Sequence, residues 1–554
     1  MKTDTPRAAA SIKQPQQVQP TVRRSLKGTE AVFVSLLTAV VAEFLLHHFL
    51  PLQLTYSPVA RIAVVFIFLY TLHRYALLAL RDYRGATKNI LTLNATLIGS
   101  IILVSFSRIM GLSMLAYFRE NPYISGLTFE SFNYAIPYAA GALLIQAVLG
   151  LHFGLIFCLA QALIVGVYTP EQPLLVPYVL VTGLVACLST VKLRTRSAFV
   201  KAGLNIAIIA IPFALAGIVI SGGSNVTDIT CRLIGVFIGG MLCSFIAAGF
   251  TPVAEYLGGY VTDMRLLEMA TLDHPLLKEL SIQAPGTWNH SMVMGMMVES
   301  AANEIGANAV LARVGAYFHD IGKTKKPLYF VENQPPGDNR HDKLSTSMSA
   351  LIIRSHVKDG LELARKYRLP VPLQDMIPQH HGTSMIEYFY EKAKKEAEEA
   401  GEDPTEVDAS LYTYPGPKPQ SREAGLLMLA DGIEAAARTL SEPSFDRIQG
   451  MVQKLINKVF ASGQLDECEL TLKDLHKIAK CYTRILTGIY HQRVQYAEPA
   501  EKGQERDQGT APKKKGETRK SASKKSGAKK SHARTDNGDE KKEKPKEDLK
   551  RLGL

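Results

Sequence analysis

Charge is scarce in the first half of this chain of 554 residues. Overall 21% of residues are charged against 47% hydrophobic. Between about 31 and 252 the chain is dominated by long apolar runs, which excludes a chain folding around one ordinary soluble core. Cysteine is sparse too: the six present include no C-x-x-C pair, which excludes a zinc ribbon and a disulfide framework and fits a reducing compartment for the polar half. A P-loop is missing. "GKT" at 322–324 could end one, but the upstream glycine is absent and Tyr317, Phe318 and Asp320 occupy that region. Strand-type alternation is nearly absent beyond 252. The net charge of +12 is no argument for a nucleic-acid polymer, because residues 501–554 alone carry 18 Lys/Arg against 10 Asp/Glu.

What is present is a series of apolar runs. A helix crossing a bilayer needs about 20 such residues, and eight stretches qualify, near 31–50, 59–80, 89–112, 132–150, 153–169, 173–191, 202–221 and 230–250. The narrowest division lies at "AVLGLHFGLIF", where Gly150, His152 and Gly154 offer a turn. Basic short loops stay in the cytoplasm. "RRSLK", "RDYRGATK" and "KLRTRSAFVK" all fall on one side if there are eight spans, with both termini cytoplasmic; seven would force one of them outside. The first run lacks a small-x-small cleavage site and reads as a retained anchor. His47, His48 and His73, with no acidic partner at matching spacing, read as interfacial or packed side chains.

The expected fold is therefore all-α. A basic cytoplasmic N-terminus covers 1–30, a polytopic transmembrane helical bundle 31–252, an all-helical cytoplasmic domain 253–495 and a disordered Lys-rich tail 496–554. Stretches such as "NAVLARVGAYFHDI" and "EAGLLMLADGIEAAARTL" repeat apolar residues at three- and four-residue steps. "ENQPPGDNRHD" and "YTYPGPKPQS" are turn-rich and interrupt the helices.

Histidine and aspartate stand out in the polar half. His290 opens one helix, His319-Asp320 closes the next, His356 lies inside a third, His380-His381 form a second pair, and Asp431 follows the proline-rich loop. Imidazole with carboxylate suits first-row divalent metals, and these groups exceed the needs of one tetrahedral ion. Neighbours on a helix point about 100° apart, so one member of His319-Asp320 could serve one ion while the other spans two. Asp320 is the expected bridge.

The order His, His-Asp, His, His-His, Asp resembles the HD phosphohydrolases. Within them "HPLLKELSIQAPGTWNHS", "AYFHDIGKTKKPLYFVENQ", "HDKLSTSMSALIIRSHVKDGLELA", "QHHGT" and "YPGPKPQSREAGLLMLADGIEAAAR" are similar to the seven-transmembrane, PgpH-like cyclic di-AMP phosphodiesterases. The similarity runs from about 253 to 450, with "GFTPVAEYLGGYVTD" at the membrane exit. It implies two divalent ions, manganese or iron. One would be held by His290, His319, Asp320 and Asp431, the other by Asp320, His356, His380 and His381. It also implies hydrolysis of cyclic di-AMP to linear pApA, at a bacterial inner membrane, with the lipid bilayer as partner, no nucleic-acid polymer, and a homodimer left open. Asp320 and Lys323 are the expected catalytic pair, Lys323 offsetting phosphate charge. His341, Tyr414, Lys418 and Arg438 are candidate substrate contacts, and Glu434, one turn from Asp431, a candidate support for the ligands.

The chain departs from that family in having only "PLQLTYSPVA" between its first two helices, where members carry a long outer domain, and Trp288-Asn289 where Tyr-His is common. Cyclic di-GMP or a linear nucleotide is the alternative substrate, although "HHGTSMIEYF" lacks the Gly-Tyr-Pro motif of the cyclic di-GMP group. A receptor that binds nucleotide without cleaving it is the alternative of another class.

Overall fold

The computed structural model describes residues 28–49, 57–79, 87–119, 127–191, 193–220, 225–335 and 337–491. The expectations for the basic N-terminus, most of "RDYRGATK" and the Lys-rich tail lie outside these residues. Among the described residues there is no strand, only an isolated antiparallel bridge between Met385 and Thr413. The chain divides into two compact units. One runs to Glu279 and takes in Ala364–Gln374; the other comprises Leu280–Leu363 and the chain from Asp375.

All eight apolar stretches are helical, but two fall short of the expected length. Six are long and apolar enough to cross a membrane: Glu30–His47, Pro58–Ala79, Thr87–Phe118, Leu151–Tyr168, Ser197–Ile220 and Val226–Gly258. The fourth stretch forms a helix only over Ala140–Leu149, 10 residues. Pro137 in the turn before it cannot donate a backbone bond, and Gly150, at φ +90°, ends it where the sequence placed a turn. The sixth forms Leu175–Ser189, 15 residues, after the break set by Pro170 and Pro173. Eight full spans are therefore corrected to six and two shorter apolar helices. The helices Thr87–Arg119 and Val226–Gly258 outrun their expected ends, at 33 residues each.

This bundle buries two of its arginines in ion pairs. Arg61 Nε donates to Glu43 Oε2 at 3.0 Å, and the Tyr168 hydroxyl donates to the same oxygen at 2.6 Å. Arg232 Nε lies 2.9 Å from Asp228 Oδ2. Glu43, one helical turn before His47, pairs with Arg61 of the next helix.

In the second unit the helix Pro285–Ile305 buries Met294, Met297, Val298, Ala301, Ala302 and Ile305, one stripe at helical period. It packs on Ala309–Phe318, Arg422–Arg438 and Leu472–His491. Its neighbours start at side-chain caps: Asn308 accepts from Leu311 N at 2.9 Å and Ser421 from Ala424 N at 3.1 Å. These caps fix where His319 and Asp431 fall relative to the starts of those two helices.

Candidate metal centre

His319 terminates the helix Ala309–Phe318, and Asp320 opens a 3-10 turn over Ile321–Lys325. The pair therefore diverges at a helix end and not along one continuous helix. Gly322 is the reason the turn fits. A Cβ there would lie 1.9 Å from the His356 carbonyl oxygen and 2.5 Å from Gly360 N, so only glycine lets this turn touch the helix Thr346–Lys366. That contact sets Asp320 beside His356.

The Asp320 carboxylate is buried and divided. Oδ1 lies 3.4 Å from His356 Nε2 and 3.7 Å from His380 Nε2. Oδ2 lies 3.2 Å from His319 Nε2 and 2.6 Å from Lys323 Nζ. Three imidazoles are held by their other nitrogen: Nδ1 of His319, His356 and His380 meets the carbonyl three residues earlier, of Ala316, Ile353 and Ile377, at 2.7, 2.5 and 2.6 Å. An Nδ1–H donating there leaves Nε2 as a lone pair facing Asp320. Nε2 of all three histidines and Asp320 Oδ1 are buried without a hydrogen-bond partner. Buried polar atoms are seldom left so, and four converging orphans fit a cation.

The opposite wall comes from the helix Arg422–Arg438. Asp431 Oδ1 lies 3.1 Å from His290 Nε2, and Oδ2 lies 3.6 Å from His381 Nδ1. Glu434, one turn on, meets His290 Nδ1 and Arg438 at 3.0 Å. Each of three donor sets, His290/His319/Asp431, His356/His380/His381 and His319/Asp320/His380, has its ligand atoms within 4.8 Å of one another.

Charge follows from this packing. Burial favours neutral carboxyls, yet His319 and Lys323 outweigh it and hold Asp320 well below the usual range. Asp431 is likewise held well below, its hydrogen bond to His290 overcoming burial. Burial keeps His356 and His380 low, and takes His381 down to about 3 despite the pull of Asp431. His290 is the exception: burial pushes it down, but Asp431 and Glu434 raise it to about 9.

The candidate substrate residues fare differently. Tyr414 reaches the centre, its ring stacked on His381 at 4.1 Å. Arg438 Nη2 approaches His290 Nδ1 at 3.4 Å. Lys418 instead donates to the Gly463 carbonyl at 2.8 Å. The His341 ring packs on Phe389, and its Nε2 bonds the Tyr329 carbonyl at 2.8 Å. Lys323 is not a free cation, for Glu332 Oε1 also lies 2.8 Å from its Nζ. Glu332 and its neighbour Asn333, which accepts from Gly286 N at 2.9 Å and Thr287 N at 3.2 Å, escaped notice. They lie in a turn-rich loop with no spacing that ties them to the histidines.

An all-helical domain that gathers five histidines and two aspartates into a cage, following a helical membrane region, defines an HD-type protein. The chain is similar to the seven-transmembrane HD hydrolases in both of its parts. Residues 56–262 match the family "7TM receptor with intracellular HD hydrolase", and residues 287–436 match the HD domain. It is similar to the cyclic-di-AMP phosphodiesterase PgpH of Bacillus subtilis, 38% identical over 384 residues that cover 68% of this chain and 53% of that protein. The PgpH of Listeria monocytogenes is 38% identical over 320 residues, 58% of this chain and 44% of the relative. The chain thus spans about half the length of these curated relatives. The crystal structure of the L. monocytogenes PgpH HD domain with cyclic-di-AMP is 43% identical and matches 40% of this chain and 100% of that one, with a TM-score of 0.37.

Proposed function

We propose that this chain is a membrane-anchored phosphodiesterase that opens cyclic di-AMP to linear pApA at a centre for two divalent cations, manganese or iron. The observation that carries the reading is Asp320 presenting one oxygen to His356 and His380 and the other to His319. His290, His319, Asp320 and Asp431 would hold one ion; Asp320, His356, His380 and His381 would hold the other. Two ions so placed supply Lewis-acid polarisation of a phosphodiester and a hydroxide at neutral pH.

The chain's own residues prepare that chemistry. The carbonyls of Ala316, Ile353 and Ile377 lock three imidazoles in the ligating tautomer. Lys323 orients Asp320, and Glu332 keeps Lys323 charged. Tyr414 fixes the His381 ring by stacking. The substrate follows the relatives' names, and the absence of Gly-Tyr-Pro after His381 favours it over cyclic di-GMP. The site belongs on the cytoplasmic side of a bacterial inner membrane, with both termini inside.

Purified full-length chain in detergent, given manganese and cyclic di-AMP and followed by chromatography, should yield pApA. Saturable binding with intact dinucleotide would replace the enzyme with a receptor.

A further inference from the structure

Three arginines are buried in the membrane bundle among the described residues: Arg61, Arg108 and Arg232. Arg61 has Glu43 and Arg232 has Asp228. Arg108 has no carboxylate. It is 6% exposed, and among the described residues its one close partner besides Tyr138 is the Phe129 ring, 4.8 Å away. A guanidinium cannot shed its charge, and leaving one unpaired in a membrane interior costs several kcal/mol.

Arg108 also lines a cavity of about 20 Å³ together with Ser100, Tyr138, Gln161, Tyr168 and Thr169. Such a volume holds a single small occupant. The donors facing it are uneven. Tyr168 and Thr169 spend their hydroxyls on Glu43 and the Val165 carbonyl, at 2.6 and 2.7 Å. Gln161 spends its amide on the Tyr138 carbonyl at 2.8 Å. The Tyr138 hydroxyl, on a residue 2% exposed, makes no well-aligned hydrogen bond among the described residues and lies beside the Arg108 guanidinium.

A cation without a carboxylate and a buried hydroxyl lining one narrow cavity make an anion site. We propose that this cavity binds one small monovalent anion of halide size, held by Arg108 and Tyr138, pinning the helices Thr87–Arg119 and Leu151–Tyr168 to the Tyr138 turn. Water in the cavity could satisfy the hydroxyl but not the charge. The inference is independent of the phosphodiesterase reading, because its residues and its readout lie in the membrane unit.

The test uses the full chain in detergent micelles, with chloride as the probe. Chloride-35 NMR line width is titrated, and the thermal midpoint is compared in chloride and in gluconate at equal ionic strength. The wild type should show saturable line broadening. Its midpoint should rise by about 2–4 °C with chloride occupancy. Arg108→Met should lose both effects, and Tyr138→Phe should weaken chloride binding about threefold to tenfold. If Arg108→Met fails to fold, Arg108→Lys with Tyr138→Phe decides. Broadening that survives these changes, or a midpoint indifferent to chloride in the wild type, overturns the proposal.

Discussion

Asp320 Oδ1 stands 3.4 Å from His356 Nε2, and both atoms are buried without a hydrogen-bond partner. The contact exists because Gly322 allows the turn after His319 to press on the backbone of the His356 helix. One carboxylate thereby reaches histidines from three separate segments.

Removing that carboxylate tests the centre most directly. Asp320→Ala and Asp320→Asn should each lower cyclic di-AMP turnover by more than about a thousandfold, an effect of about 4 kcal/mol on the barrier. Metal content by plasma emission should fall as well, with helical circular dichroism unchanged. Activity within tenfold of wild type would remove Asp320 from the bridging role.

Glu434 supports His290 without facing the other ligands. Glu434→Gln should weaken metal binding by about 10- to 100-fold, measured by competition with a fluorescent chelator. An unchanged affinity would make the Glu434–Arg438 pair a packing feature only.

Metal uptake should release a proton at His290. Burial lowers this group, but Asp431 and Glu434 lift it to about 9, so its imidazole is cationic at pH 7 and must shed a proton to ligate. Calorimetry in buffers of different ionisation heat should show about one proton released per ion at this set, fading above pH 9. Equal heats in all buffers would contradict it.

The metal-free protein should be most stable near pH 6.5. His381 sits at about 3 in the folded state, mainly through burial, below the ordinary value of about 6.5. The unfolded chain therefore binds more protons as pH falls below about 6.5, and stability drops. His290 has the opposite sign: its raised pKa adds stability that is complete below about 6.5 and is lost as pH rises through about 9. Thermal midpoints after chelation should trace this maximum; saturating metal should flatten it.

A methyl group at Gly322 should be costly. Gly322→Ala would put a Cβ 1.9 Å from a backbone oxygen, and the turn must shift, at about 1–3 kcal/mol. The thermal midpoint and the metal affinity should fall together. Loss of neither would show that the turn has room.

Much of this was legible in the linear chain. Apolar runs about 20 residues long, helical periodicity beyond residue 252, and histidines paired with aspartates all report local chemistry, which spacing preserves. Pro137, Pro170 and Pro173 were readable too, yet how far they shortened two apolar helices depended on the turns packed around them.

The sequence by itself determined which residues could ligate a metal, since only imidazole and carboxylate in that abundance suit the task. Tertiary structure alone decided that Asp320 faces both histidine sets, that Lys323 is held by Glu332, that Lys418 and His341 turn to other partners, and that Arg108 lacks the carboxylate its two counterparts have. Those outcomes depend on approach between distant segments. Approach is set by close contacts, such as Gly322 against His356, whose geometry no linear spacing encodes.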